Sequence, residues 1–184
     1  VPSSIPEYFA LFGFEPRFAI DTDRLTRAYR EVLSQVHPDR HARAGAGERR
    51  AAMQLASHAN EAYQVLKSEC ARAAYLCRSN GAELEGPGAA SVAAAFLEQQ
   101  MQWREALDAA RMANDTAAIA SLSREVAAER GRLVERIAQL LDTESDYPGA
   151  ALAVRSLMFL EKLGAEIERV AADRGEATAA ATGK

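Results

Sequence analysis

Along most of the chain, apolar side chains recur at spacings of three and four residues. Leu25, Ala28, Tyr29, Val32, Leu33 and Val36 form one run. Ala52, Leu55, Ala56, Ala59, Ala62, Tyr63 and Leu66 form a second, and Ile119, Leu122, Val126, Leu133, Ile137 and Leu140 a third. That period lines one face of an α-helix, whereas the side chains of a strand change face at every residue. With 40 of 184 residues Ala, few alternating runs and proline confined to turn-like places, the chain is expected to be all-α.

The breaks in the pattern place the helices. Pro6 suits a first helical turn, and Tyr8, Phe9, Leu11 and Phe12 follow it before Gly13, so a short helix should end near residue 12. Asp21 is a natural N-cap for the second helix, and Pro38 disfavours a helical backbone at His37, which closes that helix just before it. The third helix, from about Glu48 to Lys67, should return antiparallel to the second, and a fourth should run from roughly Cys70 to Ser79. Between Asn80 and Ser91 the chain reads NGAELEGPGAAS, with three glycines, a proline and no amphipathic period. The organisation this implies is an N-terminal helical-hairpin domain over 1–79, a linker over 80–90, an antiparallel three-helix bundle over 91–174 and a flexible tail over 175–184. Within the bundle, Ser91, Asp115 and Pro148 should open helices that reach about Met112, Leu141 and Ala172.

Several classes of function are disfavoured at once. The formal charge is -4, with 11 basic against 9 acidic residues over 1–79 and 11 against 17 over 80–184, which argues against non-specific nucleic-acid binding. Charged or amide side chains interrupt every apolar stretch, so no membrane span is expected, and Val1-Pro2-Ser3-Ser4 lacks the features of a secretory signal. A cytoplasmic protein is the expectation. Cys70 and Cys77 lie two helical turns apart, about 10 Å along the axis and too far for a disulfide, so both are read as reduced thiols in helix packing. His37 and His41 are separated by Pro38 and cannot share one helical face for a metal. His58 reads as a surface or half-buried helix residue. Phosphate-binding glycine loops, nucleophile elbows and zinc-protease motifs are missing from the sequence. We therefore expect no enzyme, no catalytic residue, no metal and no cofactor.

The tripeptide His37-Pro38-Asp39 joins two amphipathic helices, preceded by YFALFGF and DTDRLTRAYREVLSQVHPDR and followed by NEAYQVLKSECARAAYL. In that order, over residues 7–76, the chain resembles the J domain of DnaJ-type co-chaperones. The resemblance implies that His37, Pro38 and Asp39 contact a DnaK-type chaperone and stimulate its ATPase. Pro38 would fix the turn, while His37 and Asp39 offer a donor and an anionic acceptor. Arg24, Arg27 and Arg30, three apart on the second helix, with Arg40 and Arg43 beyond the loop, form a positive strip suited to an acidic groove on the partner. An ordinary solvated helix face is the alternative for that strip, as a simple helix-breaking turn is for the tripeptide.

The whole chain is similar to the HscB family of J-type co-chaperones, which serves iron-sulfur cluster assembly, in RAAYLC, FLEQQMQWREALDAA and VRSLMFLEKL. That resemblance implies HscA as the ATPase partner and the scaffold IscU as cargo, held by the C-terminal bundle. Independently of family, advancing about 100° per residue places Val92, Phe96, Trp103, Leu107 and Ala110 in one inward stripe. Leu97 and Met101 fall well outside it, beside Arg104 and Glu105. On the last helix Leu160, Leu163, Gly164, Ile167 and Ala171 face inward and leave Phe159 at the edge. An apolar patch rimmed by charge calls for a partner. The family resemblance implies the same choice, with the scaffold-binding patch on Leu97, Met101 and Phe159 and Glu98, Gln102, Arg104 and Glu105 around it; completing the bundle core is the alternative for the three apolar ones, and Trp103 is assigned to the core.

The sequence departs from the family pattern in three places. Ser68-Glu69-Cys70 replaces a proline-containing turn, Glu98 replaces an apolar residue, and Gln102 is neutral where relatives often carry an acid. The expected molecule is a monomeric adaptor that couples scaffold to ATPase. A J protein serving other clients in general folding is the second reading.

Overall fold

The computed structural model describes residues 7–36, 45–85 and 94–182, so His37, Pro38, Asp39 and Arg40 lie outside the described residues. Among the described residues there are seven α-helices and no strand. They are α1 (Glu7–Leu11), α2 (Thr22–Gln35), α3 (Ala46–Lys67), α4 (Glu69–Ser79), α5 (Ala94–Ala113), α6 (Thr116–Gln139) and α7 (Tyr147–Thr182). A π-helical turn, Leu140–Glu144, continues α6. None of the described helices is long and apolar enough to cross a membrane.

Local chemistry sets the helix ends. After α1, Gly13 takes φ 66°, and the N–H groups of Gly13 and Phe14 donate to the carbonyls of Ala10 and Phe9. This is a Schellman stop, and it drives Phe14 back against Phe9 in the core. Gly81 (φ 77°) ends α4 the same way, with Gly81 and Ala82 donating to Arg78 and Cys77. Asp21 and Asp115 cap α2 and α6 as expected. Ser68 accepts from the Ala71 N–H and so starts α4 at Glu69 without a proline turn.

α2 and α3 form the expected antiparallel hairpin. Tyr29 stacks on Tyr63 with ring centroids 4.1 Å apart. Its hydroxyl donates to Asn60 Oδ1 at 2.6 Å, and Thr26 Oγ1 lies 3.2 Å from the Tyr63 hydroxyl. Residue 26 thus meets 63 and residue 29 meets 60, the falling register of an antiparallel pair.

Two hydrophobic cores follow, and they do not divide where the sequence suggested. The first joins Phe9, Phe12, Phe14, Phe18, Leu25, Leu66, Leu76 and Cys77 to Ile137, Leu140, Leu141, Ala150, Val154 and Leu157. The second joins Trp103 and Leu107 of α5 to Ile119, Leu122 and Val126 of α6 and Leu160, Leu163 and Ile167 of α7. The long α6–α7 hairpin therefore serves both: its turn end completes the N-terminal core, and its far end packs α5.

Two further expectations need correction. The segment from residue 80 is not wholly linker, because Ala82 and Leu84 are buried in the first core. The last helix does not stop near Ala172 but runs to Thr182, through the segment expected as a tail. Ala is the strongest helix former, and the sequence there is Ala-rich.

Candidate functional site

The first group of expected site residues lies on and after α2. Asp21 Oδ1 accepts the N–H groups of Asp23 and Arg24, both at 2.9 Å, and the bond from Arg24 is the main cause that holds this carboxyl below its ordinary range. Arg24 itself turns back toward the preceding loop. Its Nη2 donates to the Gly13 carbonyl at 2.9 Å, and its guanidinium lies 4.5 Å from the centre of the Phe14 ring. Arg27 stays exposed, 4.0 Å from Asp21 Oδ2, and Arg30 is exposed as well. Of the three arginines, Arg24 is thus engaged in holding the loop that enters α2, while Arg27 and Arg30 face solvent.

The second group lies on α5 and α7. Leu97 and Met101, one turn apart, are 49% and 62% exposed, although both are apolar. Glu98, Gln102, Arg104 and Glu105 surround them in sequence and are all exposed. Trp103 is buried, as assigned, and its indole N–H donates to Glu125 Oε1 at 2.8 Å. Phe159 is half-buried and has two roles. It stacks on Trp103 at 6.5 Å and meets Phe96 edge-on at 6.1 Å, while the Arg104 guanidinium lies 5.5 Å from its ring centre. The aromatic set anchors the helix face from which Leu97 and Met101 project.

A polar junction between the N-terminal helices and the α6–α7 hairpin was not foreseen. Arg72 is 4% exposed, in an otherwise apolar stretch of α4. Its Nε donates to the Phe18 carbonyl at 2.7 Å and its Nη1 to the Leu66 carbonyl, and the guanidinium lies 4.9 Å from the Phe18 ring centre. Burial pulls the Arg72 pKa below its ordinary value, and the carboxylates of Glu69 and Asp142 oppose that shift. Asp142, in the π turn, accepts the N–H groups of Phe18 at 2.6 Å and Ala19 at 2.8 Å. Arg130 of α6 bridges Glu69 of α4 at 2.6 Å and Glu161 of α7 at 3.8 Å. The one available signal in the sequence was Arg72 itself, a charge on a face of small apolar residues; its Leu66 partner is six residues away, but Phe18 is 54 away, beyond any local pattern.

Both cysteines are buried free thiols on α4. Burial pushes Cys70 up to about 12, with the Glu161 carboxylate adding to the effect, and Cys77 up to about 11. His58 is half-buried beside Tyr8, at a ring-centroid distance of 5.4 Å, with Nε2 3.2 Å from Glu7 Oε1.

An antiparallel helical hairpin whose joining segment carries His-Pro-Asp, seated on a second helical unit with an exposed apolar pair, is the build of a J-type co-chaperone. Comparison with known proteins narrows the class. Residues 92–168 match the family described as the HSCB C-terminal oligomerisation domain. The co-chaperone protein HscB homolog of Bordetella avium (strain 197N) is 48% identical over 164 residues, covering 89% of this chain and 96% of the relative. That of Burkholderia mallei (strain SAVP1) is 46% identical over 160 residues, covering 87% and 91%. Among solved structures, the chaperone HscB from Vibrio cholerae superposes with a TM-score of 0.80 at 33% identity, over 91% of this chain and 98% of that one. Human co-chaperone protein HscB shares the fold, with a TM-score of 0.79 at 20% identity, over 91% of this chain and 82% of that one. The chain belongs to the HscB family of co-chaperones.

Proposed function

We propose that this protein stimulates the ATPase of the DnaK-type chaperone HscA and delivers to it the scaffold IscU, assisting the maturation of iron-sulfur proteins. The observation that carries the reading is the exposed pair Leu97 and Met101 beside the Phe159–Arg104 contact, in a member of a co-chaperone family. Two large apolar side chains projecting among charges have no packing reason to stay in water, and Met adapts readily to a partner's surface. In this reading His37, Pro38 and Asp39 engage the ATPase, and Arg27, Arg30 and Arg40 attract its acidic groove. Arg24 contributes by holding the loop ahead of α2. Glu98, Gln102, Arg104 and Glu105 form the polar rim around the scaffold.

The protein itself performs no chemistry. It raises the concentration of scaffold near ATPase, so a modest affinity at each surface suffices. The test separates the two surfaces. His37→Gln should abolish ATPase stimulation and leave IscU binding intact, whereas Leu97→Ala with Met101→Ala should abolish IscU binding and leave scaffold-free stimulation intact. Damage to both activities by either folded variant would refute the division of labour.

A further inference from the structure

We infer that Asp142 is a positioning residue for ATPase stimulation: it holds α2 at a fixed attitude to the patch on α5. The inference rests on the function proposed above and names a polar contact that adds to the shared core in tying the two ends of the molecule.

The π turn Leu140–Glu144 ends α6 at the tip of the α6–α7 hairpin, with Ser145 at φ 54° as its stop. From it, the two oxygens of one carboxylate take two successive backbone N–H groups, those of Phe18 and Ala19, at 2.6 and 2.8 Å. Bonds to an ionised acceptor are the strong class of hydrogen bond. From the opposite side Arg72 takes the Phe18 carbonyl and lies over its ring, which is itself buried. Phe18 is thereby gripped by the hairpin through its N–H and by α4 through its carbonyl and ring.

Only Ala19, Ile20 and Asp21 separate that grip from the first residue of α2, and Ile20 packs against the first core while Asp21 caps the helix. Swinging α2 on the α6–α7 hairpin would pull on the Asp142 pair as well as on the shared core. The patch on α5 is packed on the same hairpin, through Leu107, Leu122 and Leu163 among others. One carboxylate therefore adds to the first core in holding the helix that leads toward His37 on the body that carries Leu97 and Met101. A fixed span is what turns two weak contacts into one efficient encounter, because it sets the effective concentration of the second partner after the first has bound.

The test uses the full chain, as wild type and Asp142→Asn. The asparagine is isosteric but can accept only through one oxygen, and its amide turns an N–H toward a backbone N–H. With IscU present, the co-chaperone concentration needed for half-maximal stimulation of HscA should rise about tenfold, a fraction of the roughly 10²–10⁴-fold that simultaneous engagement supplies. Without IscU, the half-maximal concentration and the maximal rate should stay as in wild type, as should the affinity for IscU alone. The Phe18 and Ala19 amides should lose hydrogen-exchange protection, and residual dipolar couplings should report a changed orientation of α2 relative to the α6–α7 hairpin. Equal half-maximal concentrations with IscU overturn the inference, and so does an equal rise with and without it, which would make Asp142 a stability residue only. Wild-type couplings that require independent tumbling of α2 and the hairpin also overturn it, whether or not the variant folds. A wild type that fails to stimulate HscA removes the functional reading instead, and the couplings still judge the joint.

Discussion

Arg72 is the one buried charged side chain among the described residues. Its guanidinium is buried, and it satisfies carbonyls of Phe18 and Leu66 that would otherwise lose hydrogen-bond partners away from water. Arg72→Leu keeps the stem's apolar contacts but strands those acceptors, and it should lower the unfolding free energy by about 2–3 kcal/mol. Chemical denaturation of the two proteins checks this; a change within about 0.5 kcal/mol, as at an uncoupled surface site, would contradict the role. The thiols give a second prediction at this scale. Folding raises the Cys70 and Cys77 pKa values to about 12 and about 11, so between the ordinary thiol range and those values only the unfolded chain ionises. The unfolded state then binds fewer protons, and stability must fall as pH rises. The contribution is complete below about pH 9 and is lost progressively toward 12. Denaturant midpoints should be level up to about pH 9 and decline above it, and a double Cys→Ser variant should show less of that decline. At neutral pH both thiols should resist alkylation until the protein unfolds. Caps and stops such as Asp21 and Gly13 were legible in the sequence because their partners are two to five residues away. The Phe18 partner of Arg72 and both backbone partners of Asp142 are at least 54 residues away, so only the folded topology reveals them.

At the scale of an element, α5 shows how a helix can be amphipathic toward two partners. Its inward stripe of Trp103, Leu107 and Ala110 belongs to the second core, and a second apolar edge at Leu97 and Met101 belongs to none. The angular separation of these two sets was readable from spacing alone, since 3.6 residues per turn fix it. Phe159 was not so readable, because its exposure depends on how far α5 covers α7. The structure places it between the alternatives, with Trp103 and Phe96 on one side and Arg104 against the ring. Leu97→Ala with Met101→Ala should therefore leave the melting temperature nearly unchanged while weakening scaffold binding at least about tenfold, as at an interface hot spot. Phe159→Ala should do both kinds of damage, with a stability loss of about 2 kcal/mol, below that of a fully buried Phe. Calorimetric titration beside thermal melts distinguishes them. A stability loss from the Leu97 and Met101 pair equal to that from Phe159 would mean that both complete the core.

At the scale of the whole molecule, the helical class, the order of helices and the antiparallel hairpin followed from periodicity and punctuation. The ownership of the cores did not, because periodicity tells which face of α6 and α7 is buried and nothing about what buries it. Ile137, Leu140, Val154 and Leu157 turned out to complete the core of the N-terminal helices. One body should then unfold as one: scanning calorimetry is expected to give a single two-state transition, with calorimetric and van't Hoff enthalpies in agreement. Two resolved transitions would mean that the first core does not depend on the hairpin. The same packing holds α2 and the patch at Leu97 and Met101 on one body. The proposal above is that this body serves one chaperone and one scaffold. The most direct test is steady-state ATP hydrolysis by HscA and, separately, by the general DnaK chaperone, each with and without this protein and IscU. The account predicts stimulation of HscA, enhanced by IscU, and none of DnaK. Stimulation of DnaK alone, indifferent to IscU, would contradict it and move the protein to general folding.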